Sequence, residues 1–103
     1  DYETVYFDQE IQHDFASWVS GDSMEPGYPN GSVALMKQTG FDYDGAVYAL
    51  MWNGKTYIKK VYREEKGLRL ESINPAYDDL FVPYEDEPKI VGIVVGHFLP
   101  LEV

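Results

Sequence analysis

Asn53-Gly54 sits between two runs of strand-forming residues, Ala46 to Trp52 and Lys55 to Arg63. Both residues of the pair tolerate positive φ, so they close a two-residue hairpin whose twist suits its strands. The rest of the chain also reads as strands separated by turns. Residues 15–20, 32–37, 68–73, 80–82 and 89–99 are largely apolar runs broken by Gly, Pro, Asn and Asp. No ten-residue stretch carries a 3.6-residue apolar period. The expectation is a mainly β fold of about seven or eight short strands, with little or no helix. The run 32–37 is mostly apolar and should be buried on both faces. Gly92 and Gly96 inside the last run suggest bends or bulges. Residues 2–7 read as an extended entry segment, and Glu85-Asp86-Glu87-Pro88 as an acidic turn.

A chain of 103 residues is expected to form a single domain over 1–103 with one modest core. Its net charge of −10 repels phosphate backbones, which makes it a poor binder of nucleic acid on its own. Six of the eight basic residues fall between Lys55 and Arg69, diluted by Glu64, Glu65 and Glu71, and read as a solvated hairpin face. The absence of cysteine excludes disulfides and thiolate metal sites, and it fits a cytoplasmic protein. No apolar run reaches the roughly 20 residues that span a bilayer, so no membrane partner is expected.

The chemistry-bearing stretch is Ser20-Gly21-Asp22-Ser23-Met24-Glu25-Pro26-Gly27. It puts Ser23 on a turn-rich bend between the apolar runs Phe15 to Val19 and Val33 to Met36. A serine there can expose its oxygen while the backbone is held firm, as a nucleophile requires. The same residue types are also the ordinary material of turns. Neither His13 nor His97 has a partner at ligand spacing, and nothing in the sequence brings either beside Ser23. No metal and no cofactor is expected. The remaining candidate base is lysine, which can deprotonate a serine once burial has lowered its pKa. Tyr57-Ile58-Lys59-Lys60-Val61-Tyr62 offers two. Strand alternation sends Lys59 and Lys60 to opposite faces, so only one can reach Ser23, and periodicity does not choose between them.

Ser20 to Pro26, followed by Asn30-Gly31-Ser32-Val33-Ala34, resembles the nucleophile box of the LexA-like self-cleaving peptidase domain, the family of LexA, UmuD and lambdoid phage repressors. Ile58-Lys59-Lys60-Val61 is similar to that family's second box, an apolar residue, the catalytic lysine, a basic residue and an aliphatic one. The match assigns the base to Lys59, 36 residues after Ser23, a separation of the size the family uses. Ile90-Val91-Gly92-Ile93-Val94-Val95-Gly96 resembles its closing strand, so the likeness runs from about Phe15 onward.

The resemblance implies a LexA/signal-peptidase-like β fold of short antiparallel strands. It implies a Ser23/Lys59 dyad, with the backbone N–H groups of Asp22 and Ser23 as the oxyanion site. It further implies a homodimer, the protein's own linker as substrate at an Ala-Gly or Cys-Gly bond, and a RecA filament or an antirepressor as trigger. DNA would be bound only through an N-terminal domain. This chain has no Ala-Gly dipeptide and no cysteine, and 22 residues precede Ser23, so the cleavage segment and DNA-binding region are expected outside it. Two other readings stay open: a catalytically silent dimerisation or sensing module, and a UmuD-like polymerase accessory subunit. A type I signal peptidase shares the Ser/Lys logic, but the shortness of this domain argues against it.

Overall fold

The computed structural model describes residues 14–100. The expected entry segment 2–7 and His13 lie outside the described residues. Among the described residues seven strands form one sheet: β1 (Phe15–Trp18), β2 (Val33–Lys37), β3 (Val47–Trp52), β4 (Lys55–Arg63), β5 (Gly67–Glu71), β6 (Leu80–Pro83) and β7 (Lys89–Phe98). Their order across the sheet is β1-β2-β7-β3-β4-β5-β6, and every neighbouring pair is antiparallel. The only helical element among the described residues is a single 3₁₀ turn, Tyr84–Asp86, which overlaps the start of the expected acidic turn. None is long and apolar enough to cross a membrane. The mainly β expectation therefore holds.

The β3–β4 hairpin closes as its sequence dictates. Trp52 pairs with Lys55, and Asn53 and Gly54 take φ of 52° and 74°. Alternation along β3 sends Tyr48 and Leu50 to one face, where they join Ala46, Val61, Leu68, Leu70 and Val82 in the main core. β2 is covered on both faces, as expected: Val33, Ala34, Leu35 and Met36 are all buried. Val33 and Leu35 meet Phe98 in a smaller cluster. β7 breaks register twice. Between Gly96 and Val94 it inserts Val95 opposite β2, and between Gly92 and Ile90 it inserts Val91 opposite β3. Both bulges sit beside the two glycines that marked them in the sequence, and a bulge lets one strand serve two differently twisted neighbours.

Tyr48 also carries a polar task inside the core. Its hydroxyl accepts the N–H groups of Asp42 (2.7 Å) and Tyr43 (2.9 Å) and donates to the Tyr43 carbonyl (3.2 Å). It thereby ties the loop before β3 to the sheet. Tyr48→Phe keeps the ring and strips these bonds. The expected loss is about 1 kcal/mol, since the bonds to this part-buried hydroxyl go and water can take over the loop's backbone groups. Urea unfolding monitored by tryptophan fluorescence reads this directly; an unchanged midpoint would show the loop to be held by other means.

Candidate active site

Ser23 stands in the connection between β1 and β2. The base of this connection is closed by backbone bonds from Val19 N–H to the Ser32 carbonyl (2.9 Å) and from Gly31 N–H to the Val19 carbonyl (2.8 Å). Asn30 reaches across it to accept the N–H of Gly21 (2.8 Å), a residue at φ of 81° where glycine is at ease. After Ser23 the chain tightens into turns, with Glu25 N–H on the Asp22 carbonyl and Tyr28 N–H on the Met24 carbonyl. Met24 drives its side chain into the interior and is buried. The serine is thus half-buried on a backbone fixed from both sides.

The two lysines of β4 separate as alternation requires. Lys60 turns to Glu71 on β5, 3.3 Å away and half-exposed. Lys59 turns inward with Tyr57 and Val61, opposite the fully buried Tyr48 on β3, and is only 9% exposed. Its Nζ donates to Ser23 Oγ at 2.6 Å and to Ser72 Oγ at 2.8 Å. Among the described residues no carboxylate pairs with it. Burial without a compensating anion pushes the Lys59 ammonium below the ordinary lysine range. The choice that periodicity left open is settled by geometry: Lys59 meets Ser23 and Lys60 does not.

The connection between β5 and β6 forms the third wall. Asn74 donates its backbone N–H to the Ser23 carbonyl (2.9 Å) and its side-chain amide to the Asp22 carbonyl (3.1 Å). The Asp22 carbonyl and the Ser23 N–H share one peptide plane, so holding the first fixes the direction of the second. Tyr77 donates its hydroxyl to the Asp22 carboxylate, and its ring lies 5.8 Å from Lys59 Nζ. That hydrogen bond and the neighbouring negative charge raise the Tyr77 pKa. Gly27 packs directly on Ile73, where an added Cβ would come within 2.8 Å of the isoleucine.

Sequence reasoning missed Ser72, Asn74 and Tyr77. Residues 68–73 were expected to be strand, yet β5 stops at Glu71, where the chain leaves the ladder to meet the Ser23 loop. The signal that finds Ser72 is the β4–β5 register: Lys60 pairs with Glu71, and Ser72 follows one step beyond, within reach of Lys59. His97 is elsewhere in the network, its ring 4.6 Å from that of Tyr28.

The chain is similar to known proteins over most of its length. The model of the Peptidase S24-like family matches residues 2–95. LexA repressor 1 of Geobacter sulfurreducens is 33% identical over 86 residues, which is 82% of this chain and 43% of that protein. The LexA repressor of Novosphingobium aromaticivorans is 34% identical over 85 residues, 78% of this chain and 36% of its own. That of Exiguobacterium sp. is 35% identical over 80 residues, 76% and 37% respectively. The chain spans less than half the length of the curated relatives it matches. The family match over nearly the whole chain and the likeness to these repressors establish that this protein belongs to the Peptidase S24-like family.

Proposed function

We propose that this chain is the regulatory domain of a LexA-like transcriptional repressor, which cuts its own linker with a Ser23/Lys59 dyad and dimerises. The observation that carries the reading is the 2.6 Å contact between Ser23 Oγ and the buried, anion-free Lys59 Nζ. A lysine placed for structure alone is seldom desolvated and aimed at a loop serine; a lysine base has to be.

In the resting form the ammonium of Lys59 donates to Ser23. Once Lys59 is neutral the bond reverses, and the Ser23 hydroxyl donates to the Nζ lone pair. Oγ then attacks the scissile carbonyl while Nζ takes its proton. The oxyanion is received by the backbone N–H groups of Asp22 and Ser23, an arrangement worth about 3 kcal/mol per donor in comparable sites. The C–N bond breaks, Lys59 returns the proton to the departing amine, and an acyl-enzyme remains on Ser23. Lys59 next removes a proton from water, which releases the acid and restores the serine.

The sheet offers a place for the substrate. β5 pairs with β4 only from Lys60 to Arg63, so among the described residues no strand covers Lys55–Lys59 on that side. Among the described residues β1 is likewise paired on one side alone. A cleft of about 190 Å³ lies between the two, lined by Ser17, Trp18, Val19, Ser20, Thr56 and Ile58. An extended linker laid along the open half of β4 gains ladder hydrogen bonds and leads its carbonyl past Ser23. Dimerisation raises the effective concentration of a second DNA-binding head, and cleavage uncouples the two.

The test uses the full-length protein, incubated between pH 7 and 10 with fragments followed by mass. Cleavage at one linker bond is expected, its rate rising about tenfold per pH unit until Lys59 is neutral. Ser23→Ala should stay whole, and Lys60→Ala should cleave normally. A full-length protein that remains intact throughout, with and without a RecA filament, overturns the reading in favour of a silent dimerisation module.

A further inference from the structure

We infer that Ser72 is a positioning residue for the Lys59 base: its hydroxyl holds one N–H of Nζ so that the lone pair faces Ser23. The inference rests on the Ser/Lys reading above and goes beyond it. Three observations carry it. Ser72 Oγ lies 2.8 Å from Nζ, within the same contact shell as Ser23 at 2.6 Å. Ser72 comes immediately after β5, one step beyond the last ladder pair Lys60–Glu71, and the chain leaves the ladder there within reach of Lys59. It also follows the buried Leu68 and Leu70 at the strand's two-residue period, on the side to which the lysine turns.

The need for such a residue follows from the shape of an amine. A neutral amine has two N–H bonds and one lone pair in a tetrahedral arrangement. Rotation about the terminal C–N bond can point either an N–H or the lone pair at Ser23. Only the second can accept a proton. A fixed acceptor on the far side of Nζ captures an N–H and favours the productive rotamer. Ser72 supplies that acceptor, and its short side chain brings no charge that would keep the lysine protonated.

Ser72 also affects the protonation equilibrium, with the opposite sign. An acceptor bonds more strongly to an ammonium than to an amine, so it favours the charged form. The surroundings otherwise leave Lys59 to desolvation. Tyr48 and Tyr57 share its face of the sheet, and the Tyr48 hydroxyl is engaged with residues 42 and 43. From the loops, the Tyr77 ring approaches and binds Asp22, with Glu25 acting on Tyr77. Lys60 and Glu71 pair on the other face. Removing Ser72 should therefore lower the pKa of Lys59 while misdirecting its lone pair.

The experiment is the pH–rate profile of self-cleavage in the full-length protein and its Ser72→Ala and Ser72→Thr forms. Ser72→Ala is expected to lower the alkaline plateau by about 10- to 100-fold and to shift the midpoint of the rise to lower pH. Ser72→Thr keeps the hydroxyl and should retain the midpoint. The midpoint is also read without cleavage, by NMR titration of the Lys59 side chain in the Ser23→Ala background with and without Ser72→Ala. A lowered plateau with an unmoved midpoint, equal in the Ala and Thr forms, assigns Ser72 to packing and overturns the inference. A cleaving protein indifferent to Ser72→Ala overturns the inference alone. An unmodified protein that never cleaves removes the autopeptidase reading and this inference with it.

Discussion

Replacing Lys59 by methionine is expected to abolish self-cleavage of the full-length protein at every pH and, at the same time, to stabilise the fold. Methionine has nearly the length of the lysine stem and fills the same inward path between Tyr57, Val61 and Tyr48 without a charge. The loss of a general base should cost about 10³-fold or more in rate. The gain in stability comes from the same burial that makes Lys59 useful. Its pKa in the folded state lies below that of the unfolded chain. At neutral pH the unfolded state therefore holds the proton more comfortably, and the fold is weakened. As pH rises from the lowered folded value toward about 10.4, the unfolded chain binds more protons than the folded one, so stability rises. Above that value the penalty is gone. Lys59→Met should thus be more stable by about 1 kcal/mol at pH 7, with its advantage shrinking toward pH 10. Urea unfolding at the two pH values measures this. A methionine form less stable than the parent at pH 7 would mean that Ser23 and Ser72 solvate the ammonium fully, and that burial is no obstacle to its charge.

The second large effect is structural. At Gly67 an added Cβ would stand 2.3 Å from the Val82 carbonyl oxygen, 2.7 Å from the Phe81 ring and 2.9 Å from the Pro83 Cα. Two of these three are backbone, and neither can step aside without parting β5 from β6. Gly67→Ala should therefore cost about 3 kcal/mol or more, in line with overpacking at a closed site. The thermal midpoint is expected to fall by roughly 10 °C or more for a domain of this size. Gly40→Ala, where a Cβ meets nothing within 4 Å, is the matched control and should change little. The damage should reach the candidate site as well. The connection from β5 to β6 supplies Ser72, Asn74 and Tyr77, and their anchorage depends on β6 keeping its place. A Gly67→Ala form with an unaltered melting point would show the β5–β6 pair to be far more yielding than its spacing indicates.

The strands were legible because their signals are local. Asn53-Gly54 needs no tertiary context to form its turn, and Gly92 and Gly96 marked the two bulges because a bulge is a backbone event within one strand. Ser23 was legible for a related reason: Gly21, Pro26 and Gly31 announce a constrained loop, whatever it touches. Lys59 was legible only as one of a pair. Alternation states that Lys59 and Lys60 face oppositely, but which face is interior depends on what the neighbouring strands bury, here Tyr48 and Leu70. Ser72, Asn74 and Tyr77 were not legible at all. Their importance comes from the pairing register of β4 with β5 and from a contact between loops some 50 residues apart, and neither leaves a periodic trace in sequence. Asn74-Pro75-Ala76-Tyr77 has the composition of any turn, and only the fold turns it toward Asp22.

The position of β7 in the sheet bears on when this protein can act during its own synthesis. β7 is the last of the described strands to be made, yet it lies third across the sheet, between β2 and β3. It is the seam that joins the part carrying the serine to the part carrying the lysine. Until residues 89–98 have left the ribosome, β1 and β2 have no strand to dock on, and the hairpin bearing Lys59 lacks its inner neighbour. Ser23 and Lys59 are thus brought together late, once β7 has taken its place between β2 and β3. On the self-cleavage proposed above, the order of the strands alone would delay the reaction in a nascent polypeptide, with no inhibitor needed.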